Sequence, residues 1–454
     1  MNASPPVGPP AGPAKPAVAA PPVENRDGPG GGVPYLLVGM MFLTYAFSYL
    51  DRQIVNIVAE HMKADLDLAD WQIGAMSGLG FALLYTTLGL PVARLAERTD
   101  RVNIISAALV LWSGCTALFG LGRNFFEVFL ARIGVGLGEA GGSPPAMSMI
   151  ADATPRAYQS RALALYNLGV PMGALLGMVL GGFVVDALGW RWAFWIVGPP
   201  GILLAILIRM LLRDPRGAAG KAAAKPGDVP SLREVAANLR RNTAFWWIAA
   251  GAALTTFVGY GQQTFYASFF LRNHADQLDA LAVSWGLAGP TTVLGVGLGI
   301  AFGLGGTIGT ILGGQLGDRW RSPHAYLWVP ALGSALAVPL YIATLLLPSA
   351  GFSLALLVVP VALKSMWYGP TYAAIQRMTH ARSRATVLAI FLFLLNALGL
   401  GFGPLSIGLI SDWLAQSMGE AQGLRWSLIA VTAVSVLSSL CFVAAKGRRG
   451  EVPN

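Results

Sequence analysis

Long apolar runs alternate with short polar breaks over most of this chain. A helix needs about 20 consecutive apolar residues to cross a bilayer. Twelve such stretches occur, at about 35–59, 71–95, 102–122, 125–151, 161–188, 190–212, 243–271, 291–316, 325–347, 352–378, 384–413 and 424–445. The longest polar interruption, 213–242, divides them into two sets of six. The pattern predicts an all-α polytopic membrane protein. Its parts are a six-helix bundle over 35–212, an inter-bundle loop over 213–242, a second bundle over 243–445 and a tail over 446–454. Residues 1–34 are rich in Pro, Gly and Ala and read as a disordered tail.

Composition agrees: 55% of residues are hydrophobic and 12% charged, against roughly 25% charged in soluble domains. The net charge of +9 does not point to nucleic acid, because the basic residues have a topological explanation. Of 31 Lys and Arg, twenty fall in one alternating set of loops and the C-terminal tail, and five (Lys63, Arg123, Arg191, Arg272, Arg425) in the other. By the positive-inside rule both termini are cytoplasmic. Cys115 and Cys441 lie inside apolar spans and read as core thiols.

The two sets repeat each other. LTYAFSYLDRQ (43–53) aligns with LTTFVGYGQQT (254–264), so that Asp51-Arg52 correspond to Gln262-Gln263. ARLAERTDR (93–101) aligns with GQLGDRWR (314–321), with Glu97-Arg98 over Asp318-Arg319, and Arg161-Ala162 matches Arg384-Ala385. Parallel six-helix repeats joined by a basic loop are a transporter plan.

GGQLGDRW (313–320) resembles the loop motif of the major facilitator superfamily, and RIGVGLGEAGGSPP (132–145) resembles its fourth-helix motif. The first loop copy departs from the pattern, with Ala93 and Asp100 where glycines are usual and Glu97 in place of Asp. Tyr-Leu-Asp-Arg in the first helix, Gly-Glu-Ala in the fourth, GWRWAF (189–194) and NALGLGFGPLSIGLISD (396–412) resemble the Spinster branch, in its bacterial form. The resemblance implies a cavity lined by helices one, four, seven and ten. It also implies export of lysolipids or sphingoid phosphates, and closure of the cytoplasmic side by ion pairs among Glu97, Arg98, Arg161, Asp318, Arg319 and Arg384.

Charge inside a membrane is costly and marks ion or substrate paths. Away from helix ends such charges are Asp51, Arg52, Arg132, Glu139 and Lys364. At about 1.5 Å per residue, Asp51 and Arg132 lie at roughly 12 and 10 Å from the same surface, so they are expected to pair. Glu139 is two turns further along the helix-four face. Aligning Pro145 with Pro370 puts Lys364 at the position of Glu139. Its readings are a lysine held by backbone carbonyls, a cationic head-group site, and a charge that changes partner between states.

Asp51 and Glu139 are the expected proton carriers, with Arg52 and Arg132 exchanging partners or binding an anionic head. Further substrate-binding candidates are Tyr49, Tyr260, Gln262, Gln263, Trp367 and Tyr368. No metal cluster, Ser-His arrangement or phosphate loop suggests an enzyme, and no cofactor is expected. The expected function is proton-coupled alternating-access transport of a lipid-like amphiphile with a charged head, by a monomer among membrane lipids in a bacterial plasma membrane. A proton-coupled symporter of small organic anions and a passive lipid facilitator are the alternatives.

Overall fold

The computed structural model describes residues 32–216, 232–320, 324–379 and 383–448. The tails and the middle of the 213–242 loop, expected from the sequence, lie outside the described residues. The described chain is helical, and twelve long helical segments account for the expected spans: α1 (Tyr35–Leu66), α2 (70–98), α3 (Arg101–Phe119), α4 (125–153), α5 (Gln159–Leu188), α6 (Trp190–Leu211), α7 (Thr243–Trp285), α8 (Pro290–Arg319), α9 (Ala325–Leu346), α10 (Ala350–Arg377), α11 (384–418) and α12 (Glu420–Ala444). A short amphipathic helix, Leu232–Arg241, precedes α7.

Eight of these helices are long and apolar enough to cross a membrane on length and composition alone. The other four are α1, α2, α4 and α7. α1 and α4 carry the central charges, α2 and α4 are broken within their length, and α7 is interrupted by polar residues. Two spans are longer than their apolar runs. α1 continues to Leu66, and α7 continues past a kink at His274 (φ −139°, ψ 25°) to Trp285.

The breaks obey the repeat. Glycine-rich π turns interrupt α2 at Met76–Gly80 and its counterpart α8 at Ile300–Gly305. α4 stops at Glu139 and restarts at Ser143, and α10 stops at Ser365 and restarts at Tyr368. Glu139 ends, and Lys364 lies one residue from the end of, the first segments of equivalent broken helices. Such interruptions are tolerated in a bilayer where protein or a cavity, rather than lipid, surrounds the freed backbone.

The face carrying both ends of the described chain also carries most of the Lys and Arg and is called the basic face. At the opposite, far face the two halves are tied together. Arg272 on α7 grips two carboxylates of the first half, with Nε and Nη2 each 2.8 Å from Glu60 and Nη1 and Nη2 2.8 and 2.7 Å from Asp70. Lys63 bridges Asp70 (3.0 Å) and Glu420 (2.9 Å), and Ser411 donates to Asp70 at 2.7 Å.

Two carboxylates then cross in opposite directions. Asp412 of α11 accepts the backbone N–H of Asp70 and Trp71 at 3.0 and 2.8 Å, where α2 begins. Asp186 of α5 accepts from Thr291 and Thr292 N–H at 3.3 and 2.6 Å, where α8 begins. Each half therefore caps a helix of the other, satisfying amides that helix geometry leaves open. The backbones touch there: a Cβ added to Gly408 would sit 2.4 Å from the Asp70 carbonyl oxygen, and one added to Gly182 2.4 Å from that of Thr291.

At the rim of the far face, burial pushes the Asp70 pKa up. The bonds from Arg272, with Ser411 and Lys63 behind them, outweigh burial and hold it at about 2 against an ordinary 3.8. A lowered carboxylate pKa stabilises the closed form above the ordinary value, and that contribution is lost only as pH falls through about 2. Asp70 itself is therefore expected to add no pH dependence to closure of the far face between about 5 and 8.

Removing one partner of a buried ion pair costs about 3–5 kcal/mol, and Lys63 holds the loss from Arg272→Gln toward the lower end. That variant is expected to open the far face, and to open it further as the medium is acidified. Spin labels at Arg123→Cys and Asp279→Cys report the distance by double electron–electron resonance. Gly408→Val is expected to open it at every pH, because the clash is steric.

Candidate substrate and coupling site

Four of the central charges form two closed pairs between α1 and α4. Arg132 Nη1 lies 2.8 Å from Asp51 Oδ2, and Thr116 of α3 donates to Asp51 Oδ1 at 2.6 Å. One residue along α1, Arg52 donates to Glu139 Oε2 through Nε (2.9 Å) and Nη2 (2.6 Å), and Ser48 donates to the same oxygen at 2.6 Å. All four charged side chains are buried. The three donors to Glu139 converge on Oε2; its Oε1, and Nε of Arg132, have no partner. A buried pair is tolerable only when the attraction and added hydrogen bonds offset desolvation, which accounts for the two hydroxyls.

Aromatic rings complete the setting. The Arg52 guanidinium lies 4.5 Å from the Phe81 ring centroid, 4.9 Å from Tyr85 and 5.0 Å from Tyr49, and Arg132 lies 4.9 Å from Phe81. Phe81 on α2 touches both guanidiniums, and its negative ring face suits cations. Phe81, Tyr85, Ser48 and Thr116 went unnoticed in the sequence. Inside apolar spans they look like ordinary packing residues; only their proximity to the charges reveals them.

The second half is different. Tyr260 of α7 and Tyr368 and Tyr372 of α10 lie near Tyr49 of α1, and Tyr85 lies near Tyr260. On the first-half side Tyr45 stacks on Tyr166 at 4.6 Å and meets Tyr49 edge-on at 5.3 Å. Seven of the chain's twelve tyrosines thus gather near the junction of the two halves, with Tyr166 buried in the first-half core. Tyr368, just after the break in α10, remains 40% exposed.

Two expected cleft residues are elsewhere. Gln262 is buried and donates to Thr432 of α12 at 2.8 Å, pointing into the second bundle. Trp367 is 3% exposed and packs with Phe245, Val387 and Phe391 behind Tyr368, on which it stacks at 4.3 Å. A one-residue step on a helix turns a side chain by about 100°, which is why Gln262 and its neighbour Gln263, half-buried, part company. Lys364 is 7% exposed, with its Nζ 5.6 Å from the Tyr341 centroid and without a hydrogen-bond partner.

At the basic face, Arg98, Arg161, Asp318, Arg319 and Arg384 are exposed and make no ion pair among the described residues; the Glu97 side chain lies outside them. The residue that is engaged is Arg101, at the end of the first loop motif. It is bound to Asp214 (2.7 Å) and Asp152 (2.8 Å), which staples α3, α4 and the end of α6 within one half. Burial raises the Asp214 pKa, and the bonds from Arg216 and Arg101 override it and hold the carboxyl far below its usual range. Among the described residues, the ion pairs that join the two halves lie at the far face and none lies at the basic face.

Residues 41–404 match the model of the Major Facilitator Superfamily. An MFS-type efflux pump of Mycolicibacterium smegmatis is 30% identical over 94% of this chain and 95% of its own. Human protein spinster homolog 1 is 26% identical over 92% of this chain and 82% of its own. A bacterial homolog of the human lysosomal transporter Spinster, solved inward-facing and unoccupied, superposes with a TM-score of 0.78 at 28% identity, covering 91% of this chain and 98% of the other. The broken cavity helices, the closed charge pairs on α1 and α4 and these likenesses agree: the chain belongs to the Major Facilitator Superfamily and is a membrane transporter of the Spinster type.

Proposed function

We propose that this protein moves an amphiphile with a charged head group across a bacterial plasma membrane by alternating access, coupled to protons carried by Asp51 and Glu139. The basic face is then cytoplasmic, with both termini on that side. The observation that carries the reading is the double ion pair at the centre. Glu139 holds its charge only while Arg52 neutralises it, and a proton is the alternative neutraliser. A guanidinium that leaves Glu139 on closure of the cytoplasmic side requires a proton to replace it, and that exchange ties proton movement to conformation.

Opening the far face breaks the Arg272 contacts and both crossing caps together. The exposed motif residues Arg98, Asp318, Arg319, Arg161 and Arg384 stand at the side that must close in compensation. The tyrosine-lined cleft supports an amphiphilic substrate, since each phenol offers an apolar body to a chain and a hydroxyl to a head group. The Spinster likeness supports the lipid class. The mycobacterial relative's description as an efflux pump supports movement outward.

Vesicles containing the purified transporter and a fluorescent lysophospholipid test the coupling. The wild type is expected to accumulate substrate against its gradient when a pH gradient is imposed. Glu139→Gln and Asp51→Asn are each expected to fall to simple equilibration while still exchanging labelled for unlabelled substrate. Gradient-driven accumulation preserved in both variants overturns the coupling role. A wild type indifferent to every ion gradient is a passive facilitator.

A further inference from the structure

The first half's charges neutralise one another: Asp51 with Arg132 and Glu139 with Arg52, each pair closed within 3 Å. Neither guanidinium faces the cleft with charge to spare. Among the described residues, Lys364 is the buried intramembrane cation without a counter-charge. The residue is 7% exposed, and its buried ammonium makes no hydrogen bond and rests 5.6 Å from the Tyr341 ring centroid. It lies at the edge of α7, where a Cβ added to Gly259 would stand 3.5 Å from Nζ.

The carbonyls freed where α10 breaks at Ser365 do not bind it, although that helix end favours a positive charge nearby. A second orphan flanks the same ring. Tyr266 stacks on Tyr341 at a centroid distance of 6.4 Å, and its buried hydroxyl has no partner. Two buried donors without a hydrogen-bond partner therefore flank one aromatic ring. Buried donors left unmade are costly, and native proteins rarely keep them without use.

We propose that Lys364 and Tyr266 form the receiving site for the substrate's anionic group, a phosphate or carboxylate, in the second half of the transporter. This rests on the reading of the protein as a transporter of charged-headed amphiphiles and refines it. The head is held by α10 and α7, while the paired charges of α1 and α4 handle the proton. Glu139 and Lys364, at equivalent breaks of the two repeats, then divide the two tasks.

The test is equilibrium binding to the full-length protein in nanodiscs of zwitterionic lipid. The probes are a lysophosphatidate, the monoacylglycerol of the same chain, and gluconate as a small organic anion. The wild type is expected to prefer lysophosphatidate over monoacylglycerol by about tenfold or more, the scale of a hydrogen bond to a charged group. Lys364→Met is expected to abolish that preference, Lys364→Arg to retain most of it, and Tyr266→Phe to reduce it about threefold.

If gluconate binds instead of lysophosphatidate and its binding is lost in Lys364→Met, the anion site stands and the amphiphile reading falls. If Lys364→Met binds every anion as the wild type does, or if the wild type binds neither anion, the site is overturned.

Discussion

Charge cannot remain unpaired in a bilayer without a large cost, and the centre of this transporter is arranged around that constraint. Asp51 and Arg52 are adjacent on α1, yet they do not neutralise each other. They point to different partners on α4, and each carboxylate gains a hydroxyl donor, Thr116 or Ser48. The result is a pair of neutral units, each held between α1 and α4. A lone self-paired Asp-Arg would be inert. Under the proposed coupling, pairing across two helices makes protonation depend on how α1 and α4 sit.

The same scaffold is used twice with different chemistry. Both halves break the helix that faces the cavity at an equivalent point and place an ionisable residue there, Glu139 in one and Lys364 in the other. Both deliver an aspartate to cap a helix of the opposite half. The far-face lock is therefore symmetric in plan while the interior is asymmetric. Opening one side of such a molecule means releasing several interactions at once, because Asp70 joins Arg272, Lys63, Ser411 and the Asp412 cap in one network.

Most of the architecture was legible in the apolar runs and the repeat, because a bilayer leaves few ways to satisfy a backbone. Depth counting placed Asp51 opposite Arg132, since rise per residue is fixed. It did not show that Arg52 turns to Glu139, because the side of a helix that a neighbour occupies depends on packing. Gln262 and Trp367 failed as cleft residues for the same reason: depth was right, azimuth was not. The far-face lock left little trace. Glu60, Lys63, Asp70, Arg272 and Asp412 are scattered over more than 300 positions and read individually as rim charges. The recognisable motifs, in contrast, mark the basic face, where the described residues form no ion pair between the halves.

The central claim is that a proton is exchanged at the α1–α4 pairs during each transport cycle. Its most direct measurement is simultaneous recording of substrate and proton flux in vesicles, with the membrane potential held at zero by valinomycin and potassium and a pH-sensitive dye trapped inside. The account predicts proton movement in fixed ratio to substrate in the wild type, and substrate exchange without proton movement in Glu139→Gln. Substrate flux in the wild type with no accompanying proton flux would contradict it.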